Sequence, residues 1–268
     1  MKILFLGDVV GSSGCSALIQ NLPNQIKNKN IDFVIVNGEN AADQGVGLTE
    51  KICNDLFNCG VHVITTGNHV WDQKEIYQYI ENEKRLLRPQ NYPEGTPGAG
   101  IGQYTDLSGR KILVLHFMGS LFMPPIGDPF AGVKLALVNR KLRRDFAAIF
   151  LDFHGEITSE KMAMGHFLDG KATLVVGTHT HVPTNDARIL EKGTAYLTDA
   201  GMCGDYNSVI GMDKNNSLNK FLKKESKKHF PATGAATLSG VIVEADVENG
   251  LAKNIENFIY GGDLKNSH

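Results

Sequence analysis

Cysteine and tryptophan are scarce in this 268-residue chain, with four of the first and one of the second. Cys15, Cys53, Cys59 and Cys203 form no C-x-x-C pair, which argues against a zinc ribbon or a redox dithiol. They read as small packing residues of a reducing compartment. Long apolar runs are also missing: none approaches the ~20 residues of a membrane-spanning helix. The first strand meets Asp8 too early for a signal peptide. A cytoplasmic location is expected, with no membrane attachment. Charge of one sign is lacking too, since 27 Lys and Arg against 29 Asp and Glu leave a net charge of −2. Stable binding of duplex nucleic acid is therefore not expected. No linker or low-complexity stretch divides the chain, and 42% hydrophobic residues suffice for one large core. Residues 1–268 are read as a single domain.

What is present is an alternation of short apolar runs and helical patterns. Strand 2–7 leads to a helix over 13–28, where Pro23 is expected to kink or break it. Strand 33–36 leads to a helix over 48–58 capped by Thr49 or the turn before it, and strand 62–65 to a helix from Asp72 to Ile80. Residues 88–102 read as a long loop. Strand 111–117, helices 131–145 and 158–168, and strand 148–152 follow, with paired strands near 188–191, 194–198 and 237–245. The fold class is α/β, with two sheets packed face to face and helices outside.

Polar residues of metal-ligand type follow five of these runs. Asp8 ends the first, Glu39-Asn40 follows the second, Asn68-His69 the third, His154 the run 148–151, and His179-x-His181 the run 174–176. In sheets built from strand–helix repeats, ligands collect outside the carboxyl ends of the strands, so these residues are expected to meet. Together they give a mixed oxygen and nitrogen donor set suited to manganese, iron or zinc. His62, His116 and His166 are read as structural, and Asp72 as a helix N-cap in preference to a partner of His69. Thr180 and Gly204 are weaker candidates for substrate contact through backbone N–H groups.

The order of these motifs resembles that of the calcineurin-like metallophosphoesterases, with two departures. Val10 stands where that family's Asp-x-His has its histidine, and Asn37-Gly38-Glu39-Asn40 replaces Gly-Asp. The segments Gly7-Asp-Val-Val-Gly, Asn37-Gly-Glu-Asn, Thr66-Gly-Asn-His-x-Trp-Asp, Asp152-Phe-His-Gly-Glu and Gly177-Thr-His-Thr-His-Val-Pro-Thr are similar to the YmdB-like bacterial subfamily, over nearly the whole chain. The resemblance implies a four-layer α/β/β/α sandwich with two mixed sheets. It implies two metal ions per chain, manganese or iron before zinc. The first would be held by Asp8, Glu39, Asn40 and His181 and the second by Glu39, Asn68, His154 and His179, with Asn40 in place of the missing histidine and Glu39 bridging. It further implies hydrolysis of 2′,3′-cyclic nucleoside monophosphates by a hydroxide held between the cations; His69, beside Asn68 and not needed to complete either metal shell, is the candidate to protonate the leaving oxygen.

Two other functions fit the same motifs. A phosphomonoesterase or nucleotidase would use the same metal core, and a regulatory protein would sense a nucleotide there or dock an RNA-processing partner. The apolar, proline-rich stretch Phe117 to Phe130 reads as a lid or as an interface of a homo-oligomer. Lys220 to Lys228 reads as a solvated helix face or mobile loop, with a phosphate-attracting rim as the weaker alternative.

Overall fold

The computed structural model describes residues 1–225 and 228–266, so Ser226 and Lys227 of the lysine-rich segment lie outside the described residues. One sheet has seven strands: β1 (Lys2–Leu6), β2 (Asp8–Val9), β3 (Phe33–Asn37), β4 (Val63–Thr65), β11 (Met202–Asp205), β12 (Ala236–Ala245) and β13 (Ala252–Tyr260). Its order is β2-β11-β12-β1-β3-β4, with β13 pairing β12. The other has six, β5 (Ile101–Thr105), β6 (Lys111–Met118), β7 (Ala148–His154), β8 (Leu174–Thr178), β9 (Arg188–Ile189) and β10 (Ala195–Leu197), in the order β5-β6-β7-β8-β10-β9. Both mix parallel and antiparallel pairs.

Strand periodicity builds the layers, because successive side chains point to opposite faces. Ile3 and Phe5 of β1, Phe33 and Ile35 of β3, Ile112 and Val114 of β6, and Leu174 and Val176 of β8 meet in one cluster between the sheets. Their neighbours Leu4, Leu6, Val34 and Val36 join Leu18, Leu22 and Leu56, from α1 (Gly11–Lys29) and α2 (Glu50–Asn58). Leu113, Leu115, Ile149 and Val175 pack with Val133 and Met164, from α4 (Pro129–Ala136) and α5 (Thr158–Phe167). The result is the expected four-layer α/β/β/α sandwich. No helix among the described residues is long and apolar enough to cross a membrane.

Several boundaries differ from the sequence reading. Pro23 neither breaks nor ends α1, and it sits on the exposed side while Leu18, Leu22 and Gln25 are buried. α3 (Ile76–Asn82) starts four residues after Asp72, with Glu75 at its N-cap. The helix expected over 131–145 ends at Ala136, and the chain then turns through Arg143 at φ 73° with the Asp145 carboxylate accepting from Lys141 N. β5 and β13 were not expected, and the polar segment 213–231 contains α6 (Lys214–Phe221).

Candidate metal centre

The ends of β1, β3 and β4 in one sheet and of β7 and β8 in the other converge on a single polar cluster. Asp8, Glu39 and His154 are essentially buried, and the donor atoms of Asp8, Glu39 and His181, and of Glu39, His154 and His179, form two groups within 4.8 Å. Glu39 belongs to both groups. Asn68 Oδ1 lies 3.2 Å from His154 Nε2, and the Asn40 amide nitrogen 3.1 Å from His181 Nε2. All seven residues expected as ligands are thus brought together.

Asn40 reaches this position through the backbone. Val10 and Asn40 form a parallel bridge, and Gly11 N donates to Asn40 O at 2.8 Å. The asparagine therefore stands one strand over from position 10, where the resembling family carries its histidine. Gly67 lets the third element approach, since a Cβ there would collide with Glu39 Oε1 and His154 Nε2.

Each histidine has its outward nitrogen engaged, which fixes which nitrogen faces the cluster. His154 Nδ1 is 2.9 Å from Thr178 Oγ1, which donates to Asp152 Oδ1 at 2.7 Å, so the ring donates outward and presents Nε2. His181 Nδ1 is 2.8 Å from Ile210 O and likewise leaves Nε2. His179 reverses the arrangement, with Nε2 3.1 Å from Glu156 Oε2 and Nδ1 3.2 Å from His154 Nε2. Asp152 also accepts from Thr65 Oγ1 at 2.6 Å and Asn37 Nδ2 at 2.9 Å, which satisfies that buried carboxylate.

The loop carrying His179 and His181 is strained, with φ of 101° and 64° at non-glycine positions. Asp199 holds it: its Oδ2 accepts from Thr180 N at 3.2 Å and from Thr180 Oγ1 at 2.7 Å. Lys161 Nζ, buried like Asp199, is 2.7 Å from that same oxygen. Thr180 is consequently not free to offer its backbone N–H to a substrate, contrary to the sequence expectation. Gly204 is corrected as well, because it lies inside β11, paired with Thr237, not in a phosphate-facing loop.

Electrostatics favour a positive guest. Burial pushes the Asp8 carboxyl up to about 7, against the pull of His181 and His154. Burial acts the same way on Glu39, yet His154 and the His69 N–H outweigh it and hold that carboxyl below its usual range. Burial opposes charge on His154, but Glu39, Asp8 and Asp152 overcome it and raise the ring to about 9. His179, desolvated and next to His154, is pushed down to about 3 and stays a neutral donor. Asp8 Oδ1 is buried with no hydrogen-bond partner among the described residues, which fits an oxygen meant for a cation.

A cavity of about 320 Å³ opens over this cluster, lined by His69, Glu156, His179, His181, Ile210 and Met212 among others. His69 Nδ1 lies 2.7 Å from Asp72 Oδ2, so Asp72 serves His69 and not the helix N-terminus it was expected to cap. His116 is fully buried between Thr66 N and Asp152 O, and His62 accepts from Val34 N, both as structural residues.

A family model described as "YmdB-like protein" matches residues 4–258. The chain belongs to that family. It is 45% identical over 263 residues to the 2′,3′-cyclic-nucleotide 2′-phosphodiesterase of Bacillus subtilis (strain 168), covering 98% of both chains. A hypothetical protein from Thermus thermophilus superimposes with a TM-score of 0.90 at 40% identity, over 98% of this chain and 100% of that one. A novel phosphatase from Mycoplasma pneumoniae gives 0.89 at 36% identity, over 98% and 94%. The family therefore agrees with the resemblance drawn from the motifs, and these relatives match this chain nearly end to end.

Proposed function

We propose that this chain is a two-metal phosphodiesterase that opens 2′,3′-cyclic nucleoside monophosphates. The observation that carries the reading is the pair of donor groups sharing Glu39, one of them containing Asp8 Oδ1, which accepts no hydrogen bond among the described residues. Asp8, Glu39, Asn40 and His181 would hold one cation, and Glu39, Asn68, His154 and His179 the other. Asn40 would ligate through its amide oxygen, reached by a half-turn of the terminal torsion. Manganese or iron suits this set best, and zinc is compatible. When bound, such a pair acidifies water at neutral pH and neutralises charge developing on phosphate oxygens. His69, held by Asp72 through Nδ1, has Nε2 left to deliver a proton to the departing ribose oxygen.

The relative's activity on 2′,3′-cyclic nucleotides supports the substrate class. Because both sheets contribute ligands, the chain works as one catalytic unit. Four free, buried cysteines accord with a cytoplasmic setting, and exposed Leu121 and Phe122 with self-association through their loop. The deciding test is turnover of 2′,3′-cyclic AMP beside 2′-AMP and 3′-AMP on manganese-loaded protein. Ring opening without phosphate release from the monoesters is the expected result; faster release of phosphate from the monoesters would make it a phosphomonoesterase.

A further inference from the structure

Residues 214–230 carry six lysines and a single acid, Glu225, in a chain whose net charge is −2. The segment's described residues, 214–225 and 228–230, leave from and return to the rim of the metal centre. Its ends are pinned side by side: Asp213 N donates to Phe230 O at 3.0 Å, Ala232 N donates to Gly211 O at 2.8 Å, and Met212 bridges to Pro231. Ile210 and Met212, just before it, line the catalytic cavity, and Ile210 O accepts from the ligand His181. Within α6 only Asn216 and Ser217 are buried. Lys220, Lys223 and Lys224 are exposed, as are Leu218, Phe221 and Leu222, with Phe221 at 78%.

We propose that this arm binds single-stranded RNA whose 3′ end, closed as a 2′,3′-cyclic phosphate, enters the metal centre. The proposal rests on the phosphodiesterase reading and extends its substrate class from mononucleotides to oligonucleotides. A 2′,3′-cyclic phosphate can terminate a strand only at the 3′ side, so every further phosphate lies 5′ of the reacting ring and must leave the cavity across its rim. Lysines beside an exposed aromatic ring are the pairing that holds unpaired strands, the cations following the backbone and the ring stacking a base. A second copy docked arm to arm is disfavoured as the occupant, since that symmetric contact would face this positive arm with its own like charge. An anionic membrane surface would not explain why the arm springs from the cavity wall.

The test compares 2′,3′-cyclic AMP with a hexaribonucleotide ending in a 2′,3′-cyclic phosphate, on wild type, on the Lys220→Gln/Lys223→Gln/Lys224→Gln variant and on Phe221→Ser. Binding of the labelled hexamer to metal-stripped protein is followed over a salt titration. The expected result is a hexamer KM on the order of tenfold lower than that of the mononucleotide in wild type, one stacked base being worth about that factor. The lysine variant should raise the hexamer KM to the mononucleotide level and flatten the slope of log K against log salt by about 2, at ~0.7 per lost phosphate contact. Mononucleotide kinetics should not change, which also reports correct folding. Equal KM values for the two substrates in wild type would overturn the arm while leaving the phosphodiesterase intact. So would an unchanged salt slope, or variants that change only binding to anionic vesicles or only the oligomeric state. Salt-dependent hexamer binding that is lost in the variant, without turnover of either substrate, would keep the arm and sink the phosphodiesterase.

Discussion

Exchanging Lys161 for Met removes the cation that faces Asp199 and leaves a carboxylate that is 1% exposed without its counter-charge. Breaking a buried pair in this way costs about 3–5 kcal/mol, because the remaining charge stays desolvated. At about 2–4 °C per kcal/mol for a domain of this size class, the melting temperature should fall by roughly 6–20 °C. The loss should also reach the candidate metal centre, since Asp199 Oδ2 holds the Thr180 N–H and hydroxyl between His179 and His181, both at positive φ. A positioning partner at this remove from a metal typically changes affinity by about 10–100-fold. Differential scanning calorimetry of the metal-stripped protein and titration with manganese measure the two effects separately. The double variant Lys161→Met/Asp199→Asn removes the stranded charge while keeping an acceptor for Thr180, and should recover at least about 1 kcal/mol of the stability. A loss below about 1 kcal/mol, or a full loss of stability with unchanged manganese affinity, would refute the reasoning.

His69→Ala should keep its full metal content and lose about 10²–10⁴-fold in kcat, the usual worth of a positioned acid; metal loss measured by elemental analysis would reassign His69 as a ligand. Acid should destabilise the fold through His116 and His62, whose pKa values burial lowers below the ordinary 6.5. In the window below 6.5 the unfolded rings take up protons that the folded ones refuse, so stability falls as pH drops, by up to about 1.4 kcal/mol per pH unit for each ring. His116→Gln should flatten the pH dependence of urea unfolding of the metal-stripped protein between pH 6.5 and 5, and an unaltered slope would contradict that assignment.

The candidate donors are legible in the sequence because each follows an apolar run, and strand ends on neighbouring strands are neighbours in space. The Val10 departure is legible too, and the Val10–Asn40 bridge supplies its physical reason. The supporting residues are harder to read. Asp152 is a lone acid in Ala-Ile-Phe-Leu-Asp-Phe-His, which signals a buried acceptor without naming its donors. Lys161 and Asp199 are 38 positions apart, and no spacing rule connects a helix lysine to a carboxylate past β10. Glu156, two residues beyond His154, looks like an ordinary turn acid until its contact with His179 is seen. α6 escapes periodicity analysis because it buries only two polar residues and so shows no apolar stripe facing the core.

The central claim is that two cations share Glu39, and metal content tests it most directly. Wild-type protein loaded with manganese and desalted should carry about two ions per chain, as expected of a two-metal site. Glu39→Gln preserves the acceptor for His69 N but removes the charge common to both donor groups, and should lose both ions together. A Glu39→Gln protein that keeps its full metal complement, or a wild type that takes up none under any loading condition, would contradict the account.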